Sequence, residues 1–180
     1  LQLSRISNFD DLDPLAQEPK ISVEMLKAGN RLPADTDLVI IPGSKSTIDD
    51  ILFIKKNNWD LDLKKHLSKG KHILGICAGF QILGKEVSDP NCIESKIKNI
   101  KGLGLLNITT LMKTKKKTIK VSARHKESGL IFDGFEIHLG ETKGPDCKTA
   151  FSFVNGRNEG AISKDGLVMG SYVHGMFKNN

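Results

Sequence analysis

The sequence has few aromatic residues, few cysteines and no long apolar run. Of its 180 residues, 6% are aromatic and three are cysteines, which are widely spaced and form no CxxC pair. An odd number of such cysteines supports neither a disulfide framework nor a zinc site, and fits a reducing cytoplasm. No apolar stretch approaches the roughly 20 residues that span a bilayer, and the N-terminal residues do not resemble a signal peptide. We therefore expect one folded cytoplasmic domain without a membrane partner.

The net charge is +6, from 27 Lys and Arg against 21 Asp and Glu. Basic residues are spread along the chain except for one dense run, residues 113–117 (KTKKK). This run lacks arginine and contains no aromatic side chain on which a base could stack. We interpret it as a solvated hairpin loop between two strands, with a phosphate or nucleic-acid patch as the less favoured alternative, and expect no nucleic-acid partner.

Apolar segments in the first half predict a parallel sheet with helices packed on it. Residues 37–42 and 72–76 are short apolar runs typical of buried parallel strands. Between them, one helix is predicted to begin at Ser46 or Thr47 and another to cover residues 60–69. Alternation of strand and helix at this spacing is characteristic of an α/β fold.

Two more elements are expected nearer the N-terminus. Residues 10–14 (DDLDP) offer a helix start, and Pro19 would end that helix. The alternation of Ile21, Val23 and Met25 predicts a strand.

The second half has strand-like segments with Gly- and Asp-rich turns and little helical period. The predicted strands are residues 103–112, 118–123, 134–140, 150–154 and 167–174. The expected fold is therefore an α/β domain, a parallel sheet flanked by helices of the flavodoxin-like kind, with an added β-rich part.

Cys77 lies between two glycines where a predicted strand turns into a short helix, in residues 75–79 (GICAG). A side chain at such a turn stands clear of the sheet, as in the G-x-S-x-G elbow of serine hydrolases. Helix N-terminal amides, beginning with that of Ala78, would favour the thiolate and could hold an oxyanion. A buried structural cysteine is the alternative, and the flanking glycines favour a nucleophile. Cys92 and Cys147 are not flanked by glycines at a strand-to-helix turn, and we interpret both as having no role in the chemistry.

His174 is the strongest candidate for the base that a cysteine nucleophile requires. It ends an apolar strand and precedes Gly175, which places it at the rim of the sheet. His138 alternates with Glu136 on one strand face, so the two side chains point the same way. That pair fits either rim chemistry or a structural hydrogen bond, and the residues alone leave both open.

Three segments carry a family resemblance: residues 37–48 (DLVIIPGSKSTI), 75–84 (GICAGFQILG) and 170–177 (GSYVHGMF). Supporting segments are residues 5–14, 101–106 and 134–140. Together they resemble the class I glutamine amidotransferases of the cobyric acid synthase type. The cysteine motif is common to the superfamily, and the PGSK loop and the early RISNF segment select the type.

This resemblance implies hydrolysis of glutamine. Cys77 would attack the side-chain amide of glutamine, and His174 would take the thiol proton and return it to the departing ammonia. The family roles that map onto other positions are an oxyanion hole at Gly43 and Ala78 and substrate contacts at Gln81, Ser44 and Gly79.

The chain departs from the wider superfamily at one position. Class I enzymes usually have a Glu two residues after the His, where this chain has Met176. The cobyric acid synthase type also lacks that acid, so a Cys-His dyad remains with no assigned group to orient the imidazole. Glu136, with His138 beside it, is the candidate for that role.

The resemblance also implies partners. In this family ammonia passes to an N-terminal ATP-dependent synthetase domain, which amidates carboxylates of a corrin. No G-x-x-x-x-G-K-[ST] segment occurs here, so ATP and Mg²⁺ are expected on that domain, with the corrin bound mainly there, and no cofactor or metal is expected in this chain. Residues 1–20 would be a segment leading from the synthetase and residues 21–180 the amidotransferase domain, shortened at its C-terminus, because the chain starts without Met and stops soon after His174.

Two other functions are compatible with parts of this pattern. A subunit feeding a cell-wall precursor (lipid II) synthetase would share the Cys-His dyad, but is not expected to carry the SKST loop at residues 44–47. A non-catalytic partner-binding domain with the same fold would have no physical need for Cys77, His174 and Gln81.

Overall fold

The computed structural model describes residues 1–7 and 9–178. Asn8, within the RISNF segment, and the last two residues, where the C-terminal shortening was expected, lie outside this description. The helices are α1 Asp13–Gln17, α2 Thr47–Lys56, α3 Trp59–Leu67 and α4 Ala78–Leu83. The strands are β1 Leu38–Ile41, β2 His72–Ile76, β3 Glu86–Ser88, β4 Asn99–Lys101, β5 Thr109–His125, β6 Ile131–Lys143, β7 Ser152–Val154, β8 Arg157–Glu159, β9 Ala161–Ile162, β10 Val168–Ser171 and β11 Val173–His174.

The strands form two sheets. In the first, with order β1-β2-β10-β9, the strands β1, β2 and β10 are parallel and β9 is antiparallel to β10. The second has the order β11-β6-β5-β3-β4, and β7 adds to β5 and β8 to β7. The predicted α/β class, with a parallel sheet and a β-rich second half, is confirmed.

Strand β2 divides the core because its successive side chains point to opposite faces of the sheet. On one face, Ile73 belongs to the apolar cluster that includes Ile51 of α2 and Trp59 of α3. On the other, Leu74 belongs to a cluster with Phe132 of β6. Helices therefore cover one face of the parallel sheet, and the second sheet covers the other.

The strand predicted from Ile21, Val23 and Met25 is wrong. These residues are in irregular structure and are 46%, 37% and 38% exposed. A period-two pattern makes a strand only where another strand pairs with it, and none pairs with this segment in the described part of the chain.

The hairpin loop predicted at residues 113–117 is also wrong. These lysines lie inside β5, beside a register shift between Met112 and Lys117, and the turn of the hairpin lies between β5 and β6 at residues 126–130. Lys113 is 3.3 Å from Glu141 of β6. Cross-strand pairing with acids lets this exposed, charged segment remain a strand.

The N-terminal residues pack into the same core as the sheet. Leu1, Leu3 and Ile6 are buried. Ile6 forms a β-bridge with Ser44, and the Ser7 amide donates to the Gly43 carbonyl at 3.0 Å. Packing therefore continues across residue 20, although the origin of residues 1–20 as a linker stays a prediction.

No helix within residues 1–7 and 9–178 is long and apolar enough to cross a membrane.

Candidate active site

Three candidate residues lie just beyond the carboxyl ends of neighbouring parallel strands. Gly43 follows β1 and Cys77 follows β2. His174 lies in β11, which is separated from β10 by a single residue. The register pairs Gly75 of β2 with Ile41 on one side and with Gly170 on the other, so these three ends are level. Ligand sites of open α/β sheets collect at this edge.

Cys77 has the strained backbone expected of a nucleophile at a sharp turn. Its φ is 54° and its ψ is −107°, and it is the residue immediately before α4. Residues other than glycine rarely adopt this backbone conformation. Where it does occur, it is often at a functional site. An added Cβ on Gly79 would lie 1.9 Å from the Ile41 carbonyl oxygen, and one on Gly75 2.6 Å from the Gly79 backbone. The two glycines are therefore needed for α4 to start directly against β1 and β2.

Gly43, Cys77 and His174 are brought together. A Cβ added to Gly43 would lie 2.7 Å from His174 Cε1 and 3.5 Å from Cys77 Cβ. Cys77 Sγ donates to the Ile137 carbonyl oxygen at 3.3 Å. This bond holds the thiol against β6 of the second sheet. Cys77 therefore lies beside the backbone of residue 43 and directly before the N-terminus of α4.

Asp11 holds His174 through the Nδ1 atom of its imidazole. Its Oδ2 is 2.6 Å from His174 Nδ1, and its Oδ1 accepts the Gly175 amide at 2.9 Å. The side chains of His174 and Asp11 are 2% and 3% exposed, and the two residues are 163 positions apart in sequence. Sequence reasoning missed this contact, although Asp11 lies in the early segment that helped to select the family.

The protonated imidazole of His174 is stabilised by its surroundings. Burial lowers its pKa, but the hydrogen bond to Asp11 and the neighbouring Cys77 outweigh burial and raise the pKa to about 9. The ring of Phe135 stacks on the imidazole with centroids 5.3 Å apart. His174 is therefore fixed in place, and its raised pKa favours transfer of a proton from a neighbouring thiol to the imidazole.

Gln81 lies one helical turn after Cys77, and its side chain is engaged by internal partners. Its Oε1 accepts from Thr47 Oγ1 at 2.8 Å, and its Nε2 donates to the Tyr172 hydroxyl at 3.1 Å. These bonds link α2, α4 and the segment between β10 and β11. A contact of Gln81 with substrate stays a prediction.

Ser44 and Gly79 have clear structural roles. Ser44 Oγ accepts the Ser46 amide at 3.3 Å, and Ser44 also bonds to the buried carboxyl of Asp50. These bonds shape the loop that carries Gly43. Gly79 is the packing glycine described above, and the proposed substrate contacts of both residues stay predictions.

The structure does not place Glu136 and His138 against His174, so their prediction as the orienting group is corrected. His138 Nε2 is 3.8 Å from Glu136 Oε2, and the carboxylate also pairs with Lys117 and Arg157. Glu136 and His138 line a cavity of about 370 Å³, which Cys77 and His174 do not line. Glu136 has cationic partners of its own, and Asp11 takes the position at the imidazole.

The Glu136 network predicts an effect on stability rather than on the dyad. Burial raises the pKa of Glu136, but bonds from His138, Lys117 and Arg157 lower it to about 2. A carboxyl with a lowered pKa stabilises the fold above its ordinary pKa, and this stabilisation is lost as the pH falls toward 2. We expect Glu136→Gln to reduce the free energy of unfolding by about 1–3 kcal/mol at pH 7 and by much less at pH 3, measured by urea titration.

Glu141→Gln is the matched control for this prediction. Glu141 is on the same strand and pairs with Lys113 and Lys143 at the surface, where ion pairs contribute little. Equal destabilisation by the two variants would contradict a special role of Glu136.

Within the described ranges, no group of three or more His, Cys, Asp or Glu side chains is placed to hold a metal ion.

The fold has solved counterparts among the class I amidotransferases. PurLQS from Thermotoga maritima superposes with a TM-score of 0.71 at 20% identity, over 96% of this chain and 84% of that one. A second structure, titled a glutamine amidotransferase, has a TM-score of 0.68 at 16% identity, over 95% and 85% of the two chains. The fold is therefore that of the class I glutamine amidotransferases.

The family model for the CobB/CobQ-like glutamine amidotransferase domain matches residues 1–180, and the chain belongs to this family. Among similar proteins, the cobyric acid synthase of Jannaschia sp. is 53% identical over 180 residues, and that of Cereibacter sphaeroides is 50% identical over 177 residues. The chain spans only 37% of the length of each of these relatives. It therefore corresponds to the amidotransferase part of cobyric acid synthases, and the cell-wall alternative is not favoured.

Proposed function

We propose that this chain hydrolyses glutamine at Cys77 and supplies ammonia to the synthetase part of a cobyric acid synthase. The observation that supports it most is the meeting of Gly43, Cys77 and His174 at the ends of adjacent strands. Nucleophile, base and backbone donors in such an arrangement form a site for acyl transfer.

The reaction starts with transfer of the Cys77 thiol proton to His174 Nε2, because Nδ1 faces Asp11. The thiolate attacks the side-chain amide carbon of glutamine, and the resulting oxyanion is held by the amides of Gly43 and Ala78. One such donor contributes about 3 kcal/mol in comparable sites. His174 returns its proton to the amide nitrogen, ammonia leaves, and water then hydrolyses the γ-glutamyl thioester to glutamate.

The destination of the ammonia is proposed from the relatives, which are named cobyric acid synthases. ATP and Mg²⁺ would be bound by the part of the polypeptide that this chain does not contain. That part would activate carboxylates of the corrin acceptor, and the ammonia released from glutamine at Cys77 would displace the activating group. In this assignment glutamine is the substrate of this chain, and the synthetase domain is its partner.

Selective labelling of Cys77 tests the proposal. A glutamine-mimicking electrophile such as 6-diazo-5-oxo-L-norleucine should modify Cys77 in preference to the other cysteines, and excess glutamine should protect it. Cys77 is buried, whereas Cys92 is exposed, and burial raises the pKa of the half-buried Cys147. A general reagent such as iodoacetamide should react readily with Cys92.

Peptide mass spectrometry after labelling with each reagent measures this difference. A preference for Cys77 found only with the glutamine mimic supports a glutamine site rather than general thiol reactivity. Equal labelling of the three cysteines by the mimic, or no protection by glutamine, would contradict the proposed function.

A further inference from the structure

We propose that Asp11 is the positioning residue that orients His174 and thereby completes a Cys-His-Asp arrangement. This inference rests on the proposed function of Cys77 and His174. The acid that class I enzymes usually carry two residues after the His is replaced by Met176. Asp11 supplies a carboxylate to the same imidazole from the opposite end of the chain.

The two oxygens of Asp11 each have a defined donor. Oδ2 receives His174 Nδ1–H at 2.6 Å, and Oδ1 receives the Gly175 amide at 2.9 Å. With its proton on Nδ1, the neutral imidazole presents an unprotonated Nε2 to the thiol of Cys77. The bond to Gly175 fixes the carboxylate relative to the backbone that carries His174.

The segment that carries Asp11 also holds the loop of Gly43. The Ser7 amide donates to the Gly43 carbonyl at 3.0 Å, and the Lys45 amide donates to the Arg5 carbonyl at 3.1 Å. Through these contacts, the segment that positions the base also braces the proposed oxyanion loop. The segment that carries Asp11 therefore contacts both the base, His174, and the loop of Gly43.

Among the residues that the structure describes, few charged groups act on the imidazole of His174. Asp11 and Cys77 raise its pKa most, and the exposed pair of Asp10 with Lys178 lies nearby. The neighbour from β6, Phe135, carries no charge. A change in the pH dependence of the site can therefore be assigned to Asp11 if the adjacent Asp10 is varied in parallel.

Asp11→Asn tests the role because an amide has one acceptor oxygen where the carboxylate has two. Either the Gly175 amide or His174 Nδ1–H then meets an NH₂ group, and the stabilisation of the imidazolium is lost. We expect kcat for glutamine hydrolysis to fall by roughly 10²- to 10⁴-fold, with a smaller change in KM. The pH at which iodoacetamide modifies Cys77 at half its maximal rate should move upward, because the thiolate loses its stabilised cationic partner.

Asp10→Asn is the matched control, since it removes the same charge one residue away and breaks only the surface pair with Lys178. It should leave both kcat and the alkylation profile unchanged. Asp11→Glu separates a structural from a positioning role, because it keeps the charge. The alkylation midpoint should move back toward wild type in Asp11→Glu even if the melting temperatures of both Asp11 variants fall.

An unchanged alkylation midpoint in Asp11→Asn, or an equal shift in Asp10→Asn, would overturn the inference. Equal midpoints for Asp11→Asn and Asp11→Glu would also overturn it. None of these results affects the proposed function, which fails instead if Cys77 shows no preference for the glutamine mimic.

Discussion

Cys77→Ser should abolish the release of ammonia from glutamine, with a fall in kcat of more than about 10³-fold. A serine hydroxyl is far less acidic than a thiol, so His174 cannot generate a comparable nucleophile at neutral pH. The substitution changes one atom in a residue that is 7% exposed, so the fold should persist. Coupled measurement of glutamate and ammonia, together with thermal unfolding, checks both expectations.

Cys92→Ser and Cys147→Ser are the controls for that substitution. Neither thiol is at the turn between β2 and α4, and we expect turnover close to that of the wild type. Ammonia release that survives Cys77→Ser at the wild-type rate would show that the reaction does not use this thiol.

Gly43→Ala should reduce kcat/KM for glutamine by roughly 10²-fold or more, the effect expected when an oxyanion donor is lost. The new methyl group would lie 2.7 Å from His174 Cε1 and 3.0 Å from Ser7 Oγ, which is too close for these atoms to keep their positions. The imidazole and the loop must therefore move apart just where the oxyanion would form. Steady-state kinetics, with circular dichroism as a check on the fold, measures the effect.

Gly129→Ala is the control for this second prediction. Gly129 lies in the turn between β5 and β6, where an added Cβ meets nothing within 4 Å, although its φ of 71° disfavours a side chain. It should cost about 1 kcal/mol of stability and leave kcat/KM unchanged. If Gly43→Ala changed stability alone, as Gly129→Ala is expected to, the proposed oxyanion role of residue 43 would be wrong.

The sequence predicted those parts of the fold whose signals are local. The β1 and β2 segments are continuous apolar runs, and the glycines around Cys77 are required by contacts within a few residues and by α4 crossing β1. Such features follow from backbone conformation and strand burial, and both constrain the types of residue found next to each other in the sequence. Predictions that depended on a distant partner failed at Met25 and at residues 113–117, because pairing decides whether an exposed alternating segment becomes a strand.

The same distinction applies to the candidate site. The sequence by itself indicated the α/β class, Cys77 at a sharp turn and His174 at a strand end, because each has a local pattern. Only the tertiary structure decided which carboxylate faces His174. In the sequence, Asp10 and Asp11 are equivalent acids before a helix, and Glu136 shares a strand with a histidine. Folding brings Asp11 to the imidazole across 163 positions while Asp10 pairs with Lys178 at the surface, and no local pattern encodes a contact between segments that distant.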